Sequence, residues 1–171
     1  MTKGVRSVRS SGVVRIALLL IAFSANAVSA QGTGLSFSGL DAVRGLPVEI
    51  TSDELQVDNT TGETVFSGNA VLGQGDMRIA APLIRIIYAS ADGGRIERLE
   101  ASGGVTLVTA EEAAESQDAV YAVEDGTVTM QGSVILTQGP NVLSGDRLNV
   151  NVRTGQGRMD GNVRTIIQTN P

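Results

Sequence analysis

The chain has 171 residues, 42% of them hydrophobic and 18% charged, carries a net charge of −5, and contains no Cys and no His. That length allows one domain or two small ones, and the two absences exclude a disulfide framework, an iron–sulfur cluster, a Cys- or His-ligated metal and imidazole catalysis. With two Tyr, three Phe and no Trp in an acidic chain, the basic surface and stacking rings that nucleic acid requires are missing.

The first element is a leader. Lys3, Arg6, Arg9 and Arg15 precede the apolar run Ile16–Phe23, and small residues end at Val28-Ser29-Ala30. A basic start, a short apolar stretch and a small-residue close describe a signal peptide over 1–30, cut after Ala30, with Ala25-Asn26-Ala27 as a second site. Eight apolar residues extend only about 12 Å as a helix against a hydrocarbon core of ~30 Å, so export with cleavage is expected over a retained anchor. Without the leader's four cations, residues 31–171 carry −9.

Residues 31–46, rich in Gly and Ser, are expected to be a flexible lead-in. From Pro47 onward the pattern is strand and turn. Apolar residues alternate at Leu55/Val57, Val105/Leu107, Val128/Met130, Val134/Leu136 and Leu148/Val150/Val152, the period-two signature of strands with one dry face. Turn chemistry separates them at Asp58–Gly62, Asp92-Gly93-Gly94, Glu124-Asp125-Gly126 and Thr154–Gly157. The apolar parity shifts between Ile50 and Leu55, which predicts a bulge or bend across Ser52-Asp53-Glu54. Ala110–Glu115 holds helix formers without an apolar stripe and is expected to be a solvated excursion.

An internal repeat organises the chain. Gly68-Asn69-Ala70-Val71-Leu72, Gly103-Gly104-Val105-Thr106-Leu107, Gly132-Ser133-Val134-Ile135-Leu136 and Gly161-Asn162-Val163-Arg164-Thr165 share a Gly, a small or polar residue and an apolar alternation. A second element precedes each, beginning at Ser52-Asp53, Ala81-Pro82, Ser116-Gln117 and Ser144-Gly145-Asp146. The longest match sets Gly68–Tyr88 against Gly132–Val152, with Gln74 aligned to Gln138 and Gly75 to Gly139. Units of ~30 residues cannot bury their own apolar faces, so they must stack. The fold class expected is all-β: a twisted, jelly-roll-like stack with the recurrent Gly at a corner or close approach.

This pattern resembles the LptA/OstA family of periplasmic lipopolysaccharide-transport bridge proteins from Pro47 to Thr165. The resemblance is carried by Pro47–Asp53, by Phe66–Gly75, and by Met130–Leu136 leading to Ser144–Leu148. It implies that residues 47–171 form a V-shaped β-jelly roll open at both ends. Such a protein stacks end to end as a homo-oligomer in the periplasm and shields the acyl chains of lipopolysaccharide. The N-terminal edge would meet an inner-membrane transport subunit and the C-terminal edge the outer-membrane translocon. Alternation together with family position nominates Val48, Ile50, Leu55, Val57, Leu107, Tyr121 and Val123 as inward-facing lipid contacts, each of which could equally be plain core. Val48–Val57 and Asn162–Thr169 are the expected open edges, able to accept a further strand. Charge is uneven: −7 over residues 97–125 and +2 over 126–171, an asymmetry able to bias end-to-end pairing.

Other functions fare worse. A structural β-stack of the cell envelope without lipid is the alternative, and it predicts a fully filled interior. A membrane-anchored transport subunit would need a longer apolar leader. No enzyme activity, cofactor or metal is expected: Asp53/Glu54, Glu111/Glu112 and Glu124/Asp125 are adjacent acids on strands or turns, without the ligand spacing of a calcium loop. Gly73-Gln74-Gly75 and Gly155-Gln156-Gly157 precede no helix and so form no phosphate loop.

Overall fold

The computed structural model describes residues 34–38, 40, 45–58, 60–90 and 94–169; the expected leader lies outside them. Eleven strands follow in order: β1 (Gly34–Ser36), β2 (Glu49–Thr51), β3 (Glu54–Asp58), β4 (Glu63–Gln74), β5 (Met77–Tyr88), β6 (Ile96–Val108), β7 (Glu112–Ala122), β8 (Thr127–Gln138), β9 (Asn141–Asn151), β10 (Gln156–Asp160) and β11 (Arg164–Ile166). They form one antiparallel sheet in which β4 to β9 pair as successive hairpins. No α-helix occurs among the described residues. The sheet does not close: its first edge is β2 and β3, both on β4, and its last is β1 on β10 together with β11 on β9.

The long strands each break register midway, at Ser67/Ala70, Ala80/Leu83, Ser102/Val105, Glu115/Asp118 and Gln131/Val134. The repeat motif causes this. Gly68-Asn69, Gly103-Gly104, Gly132-Ser133 and Gly161-Asn162 all have positive φ, between 46° and 98°, so two left-handed residues in a row kink β4, β6 and β8 against their straighter neighbours and turn the chain after β10. The second element of the repeat supplies the partner. The Asp53 N–H donates to Gly68 O at 2.8 Å and the Asp146 N–H to Gly161 O at 3.0 Å. Asn69 and Asn162 then donate their side-chain amides to those same Asp carboxylates, at 2.8 and 2.9 Å. The kinks line up as a crease dividing the sheet into two halves.

A Cβ on Gly132 would lie 2.8 Å from Gln117 Cβ at a φ of +86°, whereas one on Gly104 would meet nothing within 4 Å at +98°. Gly132→Ala is therefore expected to lose about 3 kcal/mol and Gly104→Ala only ~1–2 kcal/mol, the left-handed cost alone. Urea midpoints of the two variants check this, and equal losses would remove the close-approach explanation.

The two halves share one interior. In one, a row of paired residues runs Ile50, Leu72, Ile79, Leu107, Ala114, Leu136, Leu143 and Thr165. In the other it runs Val57, Thr64, Ile86, Leu99, Tyr121, Val128, Val150, Gly157 and Leu35. The apolar middles of both rows, Ile50 to Leu143 and Ile86 to Val150, pack into a single cluster, as two faces of a jelly roll must. The predicted parity shift is real: β2 faces inward through Ile50 and β3 through Leu55 and Val57, with the break at Ser52-Asp53. At the β3–β4 hairpin, the Asp58 carboxylate accepts the N–H groups of Thr60 and Thr61, at 2.7 and 3.2 Å, which lowers its pKa.

Two expectations need correction. Ala110–Glu115 is not an excursion: Thr109 Oγ1 accepts the N–H groups of Glu111 and Glu112 in a tight turn, and Glu112–Ala122 is a central strand. Its short side chains suit a crowded sheet, where Ala114 is buried between Leu107 and Leu136. Within the supposed lead-in over 31–46, Gly34–Ser36 pairs with β10, and Leu35, Phe37 and Leu40 are buried. Three apolar side chains spaced along a polar stretch were enough to anchor it.

Candidate functional site

The interior opens along a mouth between the hairpin tips of the two halves. One lip ends at Gln74, Glu112 and Gln138, the last residues before or first after the β4–β5, β6–β7 and β8–β9 turns. The other lip holds Tyr121, Val123, Gly126 and Val152 near the β7–β8 and β9–β10 turns. The Tyr121 hydroxyl donates across the mouth to Gln74 Oε1 at 2.7 Å, meeting the requirement of a buried phenol for a partner. Beside that bond a cleft of about 380 Å³ remains, lined by Leu46, Gln74, Tyr121, Val123, Val152 and Arg153 among others.

Ser36, Phe37 and Ser38 cross the mouth and tie its two lips together. Phe37 donates its N–H to Gly155 O on one lip. On the other, the Ser38 N–H donates to Glu112 Oε1 at 3.0 Å, and Gln138 Nε2 donates to Ser36 O at 2.6 Å and to Glu112 Oε1 at 3.3 Å. Thr109 Oγ1 donates to the second Glu112 oxygen. Farther along, Gln74 Nε2 donates to Leu46 O at 2.9 Å. The buried carboxylate of Glu112 is thereby satisfied, as burial requires. These polar residues were not assigned a role from the sequence, although the alignment of Gln74 with Gln138 was its visible signal: equivalent repeat positions place both on the same lip.

The seven nominated lipid contacts lie on the inner face or its rim, but in different settings. Leu107 and Tyr121 are buried within the packed rows, and Val48, Ile50 and Val123 are half-buried against the core. Leu55 and Val57 occupy inward rows yet are 55% and 54% exposed, because among the described residues no strand lies beyond β3. The interior itself is nearly full. Between Leu72, Ile79, Ile84, Leu99, Ala101, Ala119 and Tyr121 only about 10 Å³ is left, room for one water at most. Among the described residues there is no group of three or more His, Cys, Asp or Glu that could hold a metal ion.

Burial raises the Tyr121 pKa above its ordinary value, against smaller lowering effects of Arg153 and the Gln74 bond. A phenol whose folded pKa is raised contributes stability in full below its unfolded value near 10, and that contribution is lost as pH rises through the folded value. Tyr121→Phe is expected to cost ~1 kcal/mol at pH 8, through the lost bond, and to flatten the decline above pH 10. Urea unfolding at pH 8 and pH 11 measures both, and an unchanged alkaline slope would exclude Tyr121 as its source.

Residues 49–156 match the LptA/(LptD N-terminal domain) LPS transport protein family. The chain belongs to this family. It is also 29% identical to an uncharacterised protein of Rhizobium meliloti (strain 1021), over 95% of this chain and 92% of that one. Its fold matches the crystal structure of LptH, the LptA-homologous periplasmic component of the lipopolysaccharide transport device of Pseudomonas aeruginosa. That match has a TM-score of 0.65 at 14% identity and covers 74% of this chain and 98% of LptH. The jelly-roll architecture and the family inferred from the repeat are thus those of the molecule.

Proposed function

We propose that this protein is a periplasmic bridge of lipopolysaccharide transport, which carries lipid A acyl chains along the inner face of its jelly roll. The observation that carries this reading is the apolar inner surface that crosses the sheet, as in the paired row Leu55, Phe66, Ile84, Ala101, Ala119, Met130, Leu148 and Met159 and the row from Ile50 to Leu143. A conduit needs an aliphatic surface continuous from entrance to exit, and shielding acyl chain is worth ~0.8 kcal/mol per methylene. In this reading the N-terminal edge, β2 and β3, takes the inner-membrane subunit, and the C-terminal edge takes the outer-membrane translocon. Copies of the chain stack between them.

Strand polarity supports such stacking. Alternation from β3 to β10 leaves the first and last strands of that half antiparallel to one another, and the same holds for β2 and β11 in the other half. A head-to-tail neighbour would continue an antiparallel ladder in both. The family and the expected leader support periplasmic residence.

A second reading, a structural stack without lipid, is favoured by the filled interior. A photoreactive residue at Val57, Leu107, Tyr121 or Val123, with Thr106 on the outer face as control, separates the two. The transport reading expects lipopolysaccharide adducts from the inner positions and none from Thr106. No adduct at any inner position would leave the structural stack standing, and adducts only at Thr106 would refute an inner conduit.

A further inference from the structure

The strand that closes the C-terminal edge in one half of the sheet comes from the other end of the domain. β1 lies on β10 with Gly34 opposite Arg158, Leu35 opposite Gly157 and Ser36 opposite Gln156. It has the same polarity relative to β10 that β3 of a head-to-tail neighbour would have. It also has the same chemistry: Leu35-Ser36-Phe37 repeats the apolar–polar–apolar order of Leu55-Gln56-Val57. Leu35 ends the inner row that Val57 begins. We infer that β1 is an internal stand-in for the β3 strand of a second copy of this chain, a removable cap that must leave β10 before copies can stack.

Two observations favour exchange over a permanent edge. β1 is the poorer partner. Among the described residues it pairs with only Gln156, Gly157 and Arg158 of β10, whereas β3 has five residues. It also sets Gly34 against the exposed Arg158, which finds its ion partner within its own strand at Asp160, 2.7 Å away. With Val57 of the second copy opposite Gly157, Leu55 would fall opposite Met159 and Gln56 opposite Arg158. Glu54 and Asp58 would then flank that guanidinium diagonally, a favourable cross-strand arrangement. Meanwhile Leu55 and Val57, more than half exposed in the single copy, would be covered. Gly157 makes the seat: a Cβ there would collide with the Phe37 ring, so the position accepts a side chain from whichever strand lies across it. Release must break the clasp of Glu112, Gln138 and Gly155 on residues 36–38, which sets the cap's closed fraction.

The inference rests on head-to-tail stacking, and its test separates the two. The chain has no Cys, and Ser36 and Gln156 are opposed and exposed. Directly paired strand residues lie within disulfide reach, so S36C/Q156C locks the cap when oxidised and frees it when reduced. Leu35→Asp with Phe37→Asp releases it without a bond. Sedimentation velocity against concentration is the readout, with far-UV circular dichroism confirming the sheet in every sample. The oxidised protein should stay monomeric at concentrations where the reduced one associates. If the cap is closed nine-tenths of the time, the released variant should associate about tenfold more tightly than wild type. Adding Leu55→Asp and Val57→Asp to the released variant should abolish the gain. Equal association of oxidised and reduced protein overturns the cap and leaves stacking intact. Association indifferent to the β3 substitutions overturns β3 as the competitor. Absence of association in wild-type, reduced and released protein overturns stacking itself, and the cap with it.

Discussion

Leu107→Ala is expected to lower the unfolding free energy by about 3 kcal/mol, the usual cost of removing a leucine side chain that packing cannot replace. Leu107 is 1% exposed and sits mid-row, with Ile79 and Ala114 paired on either side. Both flanking strands are held by ladders, so the walls cannot collapse into the space left behind. Val57→Ala, on the same inner surface but at the open edge, should cost less than ~1 kcal/mol, because over half of that side chain is already in water. Urea unfolding with an unchanged m-value measures both differences. Equal losses would mean that the edge is covered in solution. The contrast divides the nominated lipid contacts by physical role: Leu107 and Tyr121 hold the walls together, while Leu55 and Val57 present apolar surface that a lipid or a partner can reach without breaking the core.

Much of this fold was legible because its devices are local. Period-two alternation names strands directly, and Gly followed by a small or polar residue fixed the place of each kink, since left-handed backbone is costly for most side chains. The repeat also paired each kink with its partner, as Asp53 with Gly68 and Asp146 with Gly161. The segment before Pro47 was not legible. Leu35, Phe37 and Leu40 are too few to show a period, and their burial depends on Gly155, Gly157, Glu112 and Gln138, more than seventy residues away. Glu112 was misjudged for a related reason. An acid beside Ala residues suggests a wet turn, and only a carboxylate satisfied by Thr109, Ser38 and Gln138 can be buried there. Distant polar satisfaction leaves little local trace, so the lip of the mouth emerged only in three dimensions.

Lipopolysaccharide should part the two lips. Between Leu72, Ile84, Leu99 and Tyr121 the packed interior has room for one water at most, so an acyl chain entering there must separate the halves or expel the strap of residues 36–38. Separation breaks the Tyr121–Gln74 bond, worth ~1 kcal/mol, and opens facing apolar surface that the incoming methylenes then cover at ~0.8 kcal/mol each. A few buried methylenes therefore offset the opening, and the balance grows with chain length. Asp76 in the β4–β5 turn and Asp125 in the β7–β8 turn are exposed and stand beside the two lips. In a chain without Cys, spin labels at Asp76→Cys and Asp125→Cys report their separation by pulsed electron resonance. Saturating lipopolysaccharide should shift the distances outward by on the order of 5 Å, half the ~10 Å spacing of packed sheets. Tyr121→Phe should broaden the distribution before lipid is added, since its crossing bond is gone. An unchanged distribution, with lipid shown to co-elute with the protein, would place the acyl chains outside the jelly roll and end the inner conduit as a mechanism.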